Sequence, residues 1–439
     1  MSDIADIDVI VVGAGPAGIS CALTIARAGK KVVVVERGAS FGAKNMFGGA
    51  VYLHALKNIF PKSYKDAPYE RFINSHSWAL LTKDSSVEIA HKQGSENTNS
   101  ATVFRAQFDK WMADEAKKEG VVFAPCTVVR ELVLKNGAVV GVKTDLEDFF
   151  APIVVIAEGA NSLLAEQIGL KQKDVPKNVV MGVKEVIKLP KNIIEERFNL
   201  APGSKDGVRK EFFGGLNCKE NEGIFALGYL YTFEDSISIG LGVGLEDLTK
   251  FKLTPYELLE QLKSHPSIKP LTEGGESIEY SAHLIPEGGF KHLPKLYSDG
   301  VMVAGDAAGL VNALHFEGTN LAMESGKLAG ESALVALEHK DYSANALKIY
   351  KKKLEQSFVL KDLKTYKNLV SMAQERANSI FIYYPKKADE FFTMFETASG
   401  TPKREGYRAF IKSLFFDRKL SELARDCYQF AKSFIEVVK

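Results

Sequence analysis

At 439 residues, with 46% hydrophobic and 25% charged residues, the chain is long enough for two or three domains around a sizeable core and has the composition of a globular protein. A formal net charge of +1 supplies no global electrostatic reason to bind nucleic acid. Cys21, Cys126, Cys218 and Cys427 lie far apart with no C-x-x-C pair, which argues against a disulfide framework and gives neither zinc nor an iron–sulfur cluster its usual ligand spacing. The N-terminus, MSDIADID, places acids ahead of the first apolar run, the opposite of a secretory n-region, and so predicts a cytoplasmic protein.

That first run, Val9-Ile10-Val11-Val12, suits a parallel strand buried on both faces, and it leads into Gly13-Ala14-Gly15-Pro16-Ala17-Gly18. Gly13 allows the tight turn, Gly15 lets the backbone approach a pyrophosphate, and Gly18 lets the following helix pack close to its strand. The helix, expected from Ile19 to Ala28 with Gly29 as its cap, turns its N-terminus toward the phosphate charge. Lys31 to Val35 form the next strand, which ends at Glu36, where a carboxylate can accept both ribose hydroxyls of an adenosine. Val9 to Ala26 carries no charge and could suggest a membrane span, but the glycine turn and Pro16 in its middle fit the dinucleotide fingerprint instead.

Downstream, Phe41 to Gly49 is a glycine-rich loop, either an ordinary surface loop or one whose amides approach a planar or anionic ligand. Residues 51–75 read as helical and irregular, and 76–91 as strands. Phe104 to Met112 opens a helix with Arg105 near its start, where it is either solvated or paired with a pyrophosphate. Strands follow at 121–129 and 131–144, the second broken by the hairpin dipeptide Asn136-Gly137. Ile153 to Ala157 is another buried strand, ending in Glu158-Gly159, and strand ends of this kind line the ligand crevice of an open sheet. From about 176 to 284 the pattern turns antiparallel, with a hairpin of 223–233 and 236–244 joined by Glu234-Asp235. Gly300 to Gly309 returns to a short buried strand that delivers Asp306 to its carboxyl end, and the helix beginning near Gly318 is rich in small side chains. Residues 345–439 are helical. There Tyr407, Phe410, Ile411, Leu414 and Phe415 share one helical face, and from Lys403 onward nine basic residues face five acidic ones. Such a stripe packs either against its own core or against a membrane or partner.

Three separated pieces now coincide: the fingerprint ending in Glu36-Arg37, the Glu158-Gly159 turn, and Gly305-Asp306 followed by Gly318-Thr319-Asn320. Together they resemble the FAD-binding pattern of the flavoproteins with a glutathione-reductase or hydroxylase-type fold. The segments Gly42-Ala43-Lys44-Asn45 with Gly48-Gly49, Phe104 to Asp109, and Phe316 to Ala322 resemble most closely the electron-transfer-flavoprotein:quinone oxidoreductases, in their FixC-type branch. The resemblance implies an α/β fold (α+β overall): a doubly wound FAD-binding domain with an inserted antiparallel-sheet domain and a helical C-terminal region. The expected FAD-binding parts are 1–75, 101–175 and 285–344. The sheet domain for substrate or quinone takes 76–100 and 176–284, and the helical region takes 345–439.

The resemblance also implies that Glu36 holds the adenosine ribose, Arg105 lies by the phosphate or ribityl segment, Asp306 binds the ribityl chain, and the Gly318 to Asn320 amides face the isoalloxazine. The full expected FAD site is Gly13, Ala14, Gly15, Pro16, Ala17, Glu36, Arg37, Lys44, Asn45, Gly48, Gly49, Arg105, Val128, Glu158, Gly159, Gly305, Asp306, Gly318, Thr319 and Asn320, with no catalytic acid or base and no metal. Single-chain quinone oxidoreductases of this family carry a four-cysteine iron–sulfur segment near the C-terminus, which this chain lacks. FixC-type systems place that cluster on a small ferredoxin-like subunit. The implied partners are therefore that subunit, a two-subunit electron-transfer flavoprotein and a quinone, at the inner face of the cell membrane. A geranylgeranyl-reductase-like prenyl reductase, a hydroxylase-type monooxygenase and a non-catalytic flavin scaffold are the competing readings of the same FAD domain.

Overall fold

The structure is a computed structural model that describes residues 7–42, 49–96, 99–216 and 223–438. The chain divides into two compact units, each assembled from separated segments: 1–72, 98–179 and 284–367 in the first, and 73–97, 180–283 and 368–439 in the second.

The first unit is built on a six-stranded sheet. Its order is Tyr297–Ser298, Val301–Val303, Ile153–Ile156, Val9–Val12, Val32–Val35 and Val122–Ala124. All neighbours are parallel except the first pair. The register Val9↔Ile153 and Val9↔Val32 puts three runs of consecutive apolar residues side by side, and all twelve of those residues are buried. Runs without polar alternation are what a sheet covered on both faces requires. The helix Pro16–Arg27 starts a turn earlier than its apolar periodicity indicates, because the fixed φ of Pro16 suits the first helical position. It packs against Thr319–His339 so closely that a Cβ at Gly326 would run into the carbonyl oxygen of Ala17. A small three-stranded sheet carries the Asn136-Gly137 turn, with both residues at positive φ, as a two-residue hairpin requires.

The second unit centres on an antiparallel sheet in the order Glu276–Pro286, Val179–Lys188, Ser236–Gly244, Ala226–Thr232, Asp206–Gly214 and Tyr69–Leu81, the last pairing also with Ser86–Lys92. The hairpin at Glu234-Asp235 forms as expected, with Thr232 opposite Ile237. One face of this sheet, with Val183, Phe212, Leu230, Ile239 and Leu241, forms a core with the helix Pro255–Ser264, whose start is fixed by a Thr254–Glu257 capping box. The strand Tyr69–Leu81 begins inside the stretch whose sequence reads as helical. Arg71, only 1% exposed, occupies a position where the alternation would otherwise show an apolar residue. Helices fill 369–438, where the fully buried carboxylate of Asp426 gathers Arg376, Arg418, Ser379 and Tyr384. The aromatic stripe of Lys403–Phe416 is only partly covered: Phe410 meets Phe391 at 5.5 Å and Leu414 is half-buried, whereas Tyr407, Ile411 and Phe415 are exposed, as is the neighbouring Phe416. Among the described residues, no helix is long and apolar enough to cross a membrane.

Candidate functional site

Because Val9–Val12, Val32–Val35, Ile153–Ile156 and Val301–Val303 run parallel and in register, their carboxyl ends lie along one edge of the sheet. Gly13, Glu36, Glu158 and Gly305 follow those ends directly or within two residues, so residues far apart in sequence meet at that edge. Such an edge is where open α/β sheets bind their ligands.

The first turn is tightly specified. Gly13 sits at φ +103°, donates its amide to Val35 O at 2.8 Å, and leaves no room for a Cβ beside the Ala157 carbonyl. At Gly15, in contrast, a Cβ would meet no atom within 4 Å, so there is open space in front of the N-terminus of Pro16–Arg27. Glu36 is pinned on both sides: Ala14 N donates to Oε2 at 2.9 Å and Gly38 N donates to Oε1 at 2.6 Å. Each carboxylate oxygen keeps a further lone pair, the capacity a pair of ribose hydroxyls needs. Thr127 N donates to Glu36 O and Cys126 N to Gly38 O, which brings Val128 beside the same strand end. Arg37 is exposed.

At the second turn the Glu158 side chain is held locally. Its Oε1 accepts the amides of Leu164 at 2.9 Å and Ala165 at 3.3 Å, and burial pushes its carboxyl up despite those bonds. What this turn offers the edge is backbone at Glu158-Gly159, with open space beside Gly159. Ser162 Oγ donates to Ala307 O at 3.0 Å and ties this turn to the next.

The third turn, Gly305–Ala308, is held by Gly305 N donating to Ser325 Oγ at 3.0 Å. Asp306 interacts electrostatically with Arg105, the first residue of the helix Arg105–Lys118. Arg105 also grips the fully buried Asp109 one turn on, Nε to Oδ1 and Nη2 to Oδ2, both at 2.8 Å. Burial works against the charge of Arg105, but Asp109 and then Asp306 outweigh it and raise its pKa.

Thr319–His339 starts just after Gly318, which has open space beside it. Asn312 and Glu317 exchange backbone hydrogen bonds at 2.8 and 3.1 Å and close the preceding loop. Asn320 Oδ1 and Asn312 Nδ2 are both buried without a partner among the described residues. A buried amide group left unpaired is costly unless a ligand satisfies it. Lys44, Asn45 and Gly48 lie outside the described residues; Gly49 opens the strand Gly49–Tyr52 and also borders open space. Asp109, Ser325 and Asn312 are not among the residues expected from sequence. Only Asp109 left a local sign, an acid four residues after an arginine on a helix.

An open glycine cradle at a helix N-terminus, a pinned carboxylate at the neighbouring strand end, a half-buried cation beside Asp306 and two orphaned amides fit a long dinucleotide with a polar ring system. A family profile described as FAD dependent oxidoreductase matches residues 8–165, which makes the chain an FAD-dependent oxidoreductase. Two further profiles match, one described as ETF-QO, ubiquinone-binding over 180–285 and one as ETF-QO/FixC family C-terminal domain over 369–435. Protein FixC of Bradyrhizobium diazoefficiens is 41% identical over 97% of this chain and 98% of its own length. Protein FixC of Escherichia coli K12 is 39% identical over 87% and 88%. A probable electron transfer flavoprotein-quinone oxidoreductase of the same organism is 37% identical over 90% and 92%. The chain belongs to the FixC type of the electron-transfer-flavoprotein:quinone oxidoreductase family, and its ubiquinone-binding domain links its redox chemistry to quinone.

Among solved structures, a geranylgeranyl bacteriochlorophyll reductase-like protein from Thermoplasma acidophilum superimposes with a TM-score of 0.70 at 21% identity over 95% of this chain and 98% of its own. A myxobacterial FAD-dependent halogenase gives 0.65 at 15% over 89% of each. At these identities the likeness concerns the fold.

Proposed function

We propose that the chain carries electrons from a two-subunit electron-transfer flavoprotein to a quinone, as the FixC-like subunit of a complex with a small ferredoxin-like iron–sulfur protein. The observation that carries this reading is the succession of three profile matches along one chain: FAD dependent oxidoreductase, ubiquinone-binding, and ETF-QO/FixC C-terminal. The scattered cysteines favour a separate iron–sulfur subunit, since no C-x-x-C pair is present to begin a cluster site.

Bound FAD would supply chemistry that accepts and gives electrons singly or in pairs. The chain's own residues bind and orient it. With the Gly13 and Ala14 amides committed to Val35 O and Glu36, the amides of Gly15 and Ala17 at the helix start beside Pro16 would hold the pyrophosphate. Glu36, fixed by the amides of Ala14 and Gly38, would accept the ribose hydroxyls. Arg105, its fork set by Asp109, would lie by the phosphate or ribityl segment, and Asp306 would bind the ribityl chain. The amides of Gly318, Thr319 and Asn320 would face the isoalloxazine, where a helix N-terminus favours negative charge. Arg37, Lys44, Asn45, Gly48, Gly49, Val128 and the Glu158-Gly159 backbone would complete the cradle.

The exposed apolar side chains Phe415, Phe416, Phe434 and Ile435, on helices that also carry Lys403, Arg404, Arg408 and Lys412, support peripheral contact with the inner face of the cell membrane. Co-purification from the source cell, with identification of every bound subunit, tests the assembly. Recovery with both electron-transfer-flavoprotein subunits and an iron–sulfur protein is expected; recovery of this chain alone would contradict it.

A further inference from the structure

The antiparallel sheet of the second unit has two unlike faces. Side chains alternate along its strands, so Val183, Phe212, Leu230, Ile239 and Leu241 enter the helix-backed core while their neighbours take the other face. On that second face the strand registers line up two adjacent rows. One is apolar: Ile89 lies opposite Trp78, Trp78 meets Phe213 edge-on at 6.4 Å, and Phe213 lies opposite Leu227. The other is titratable: His91 lies opposite His76, His76 Nε2 is 3.1 Å from Glu211 Oε2, Glu211 lies opposite Tyr229, and Lys184 follows across Gly240.

The two rows are stitched together at His76, whose ring stands perpendicular to Trp78 at 5.7 Å. Glu211 is 1% exposed and is also held by Arg209, whose Nε donates to Oε1 at 2.7 Å. Burial would raise the Glu211 carboxyl, but His76 and then Arg209 hold it below its ordinary range, so it faces the imidazole as a carboxylate. Trp78 and Ile89 are 53% and 68% exposed, so the apolar row is open at the end where His76 stands. A buried arginine–glutamate pair is by itself a structural feature. Its placement under a half-exposed histidine, beside an exposed tryptophan, suits a flat apolar ring whose oxygens take up protons.

We propose that this face seats the quinone head on Trp78 and Phe213, with His76 donating a proton to a quinone oxygen and Glu211 acting as the positioning residue for His76. The proposal rests on the reading that the chain reduces quinone. Conversion of quinone to quinol takes two electrons, supplied through FAD, and two protons, with one O–H bond formed at each quinone oxygen. One proton leaves the imidazolium. Because Glu211 holds the Nε2 proton, the N–H bond that breaks is the one at Nδ1, and water restores it through the exposed side of the ring. Water supplies the second proton. General acid catalysis by a placed histidine contributes on the order of a hundredfold or more.

The test uses the FAD-loaded full chain, reduced and mixed with decylubiquinone or with ferricenium, which takes electrons without protons. His76→Gln is expected to slow reoxidation by decylubiquinone by about a hundredfold and to leave reoxidation by ferricenium at the wild-type rate. Glu211→Gln, which keeps the shape and removes the charge, is expected to displace the pH profile of quinone reduction by about half a unit or more. Wild-type rates with decylubiquinone in His76→Gln, or equal losses with both acceptors, would overturn the proposal and leave quinone reduction standing. Failure of the wild-type protein to reduce decylubiquinone would overturn the quinone reading itself, and this proposal with it.

Discussion

Arg105 and Asp109 meet through two parallel hydrogen bonds of 2.8 Å, and the Asp109 carboxylate is fully buried. The pair does more than steady one helical turn, because Arg105 also lies within the field of Asp306 at the carboxyl edge of the sheet. Asp109→Ala would leave the half-buried guanidinium without its two charged hydrogen bonds, so a loss of about 1.5–3 kcal/mol in the stability of the first unit is expected. Urea unfolding of the FAD-free protein measures it, and a loss below about 1 kcal/mol, the worth of an exposed pair, would show that Arg105 is solvated.

Glu36 provides a sharper test of the nucleotide end of the cradle. Its two backbone bonds fix the carboxylate before any ligand arrives, and charge-assisted hydrogen bonds to ribose are worth about 1.5–3 kcal/mol. Glu36→Ala is therefore expected to weaken FAD binding by about 10- to 100-fold, read by fluorescence titration of the FAD-free protein. Unchanged affinity would place the ribose elsewhere.

The helix contact behind the fingerprint predicts a purely steric effect. A methyl group at Gly326 would meet the Ala17 backbone, and backbone cannot step aside as a flexible side chain can. Gly326→Ala should cost about 1–3 kcal/mol or more through overpacking, visible as a lowered Tm. A Tm equal to wild type would mean that the two helices can separate without penalty.

Glu287 makes stability depend on pH in an unusual direction. Burial pushes its carboxyl up to about 8 from an ordinary 4.5. Between those values the folded protein holds a proton that the unfolded chain has released, so this group's contribution to stability falls as pH rises from about 4.5 to about 8 and is level above that. Glu287→Gln should flatten the dependence and be the more stable protein at pH 8. Parallel urea midpoints for the two proteins from pH 5.5 to 8.5 would contradict the assignment.

The parallel core could be read from sequence because each of its central strands is a run of consecutive apolar residues that ends in a glycine or an acid. The hairpins at Asn136-Gly137 and Glu234-Asp235 were equally legible, since a two-residue turn imposes its own chemistry. The first half of Tyr69–Leu81, ahead of residue 76, was not, because buried Arg71 interrupts the alternation, and no local pattern announces a buried arginine. Glu36 could be placed at a strand end, whereas the turning of the Glu158 side chain onto the amides of Leu164 and Ala165 follows from a loop path that sequence does not specify. The stripe at 407–415 allows two outcomes, and the structure divides it: Phe410 packs on Phe391 while Ile411 and Phe415 are exposed. His76 and Glu211 are 135 residues apart, and only strand register brings them together.

The central claim is that electrons from an electron-transfer flavoprotein reach quinone through FAD bound to this chain. Anaerobic mixing of the FAD-loaded protein with a reduced two-subunit electron-transfer flavoprotein, followed by addition of ubiquinone, tests it most directly. The flavin absorbance is expected to bleach in the first step and to return in the second as quinol forms. A flavin that stays oxidised in the presence of the reduced donor, while chemical reductant still bleaches it, would contradict the account.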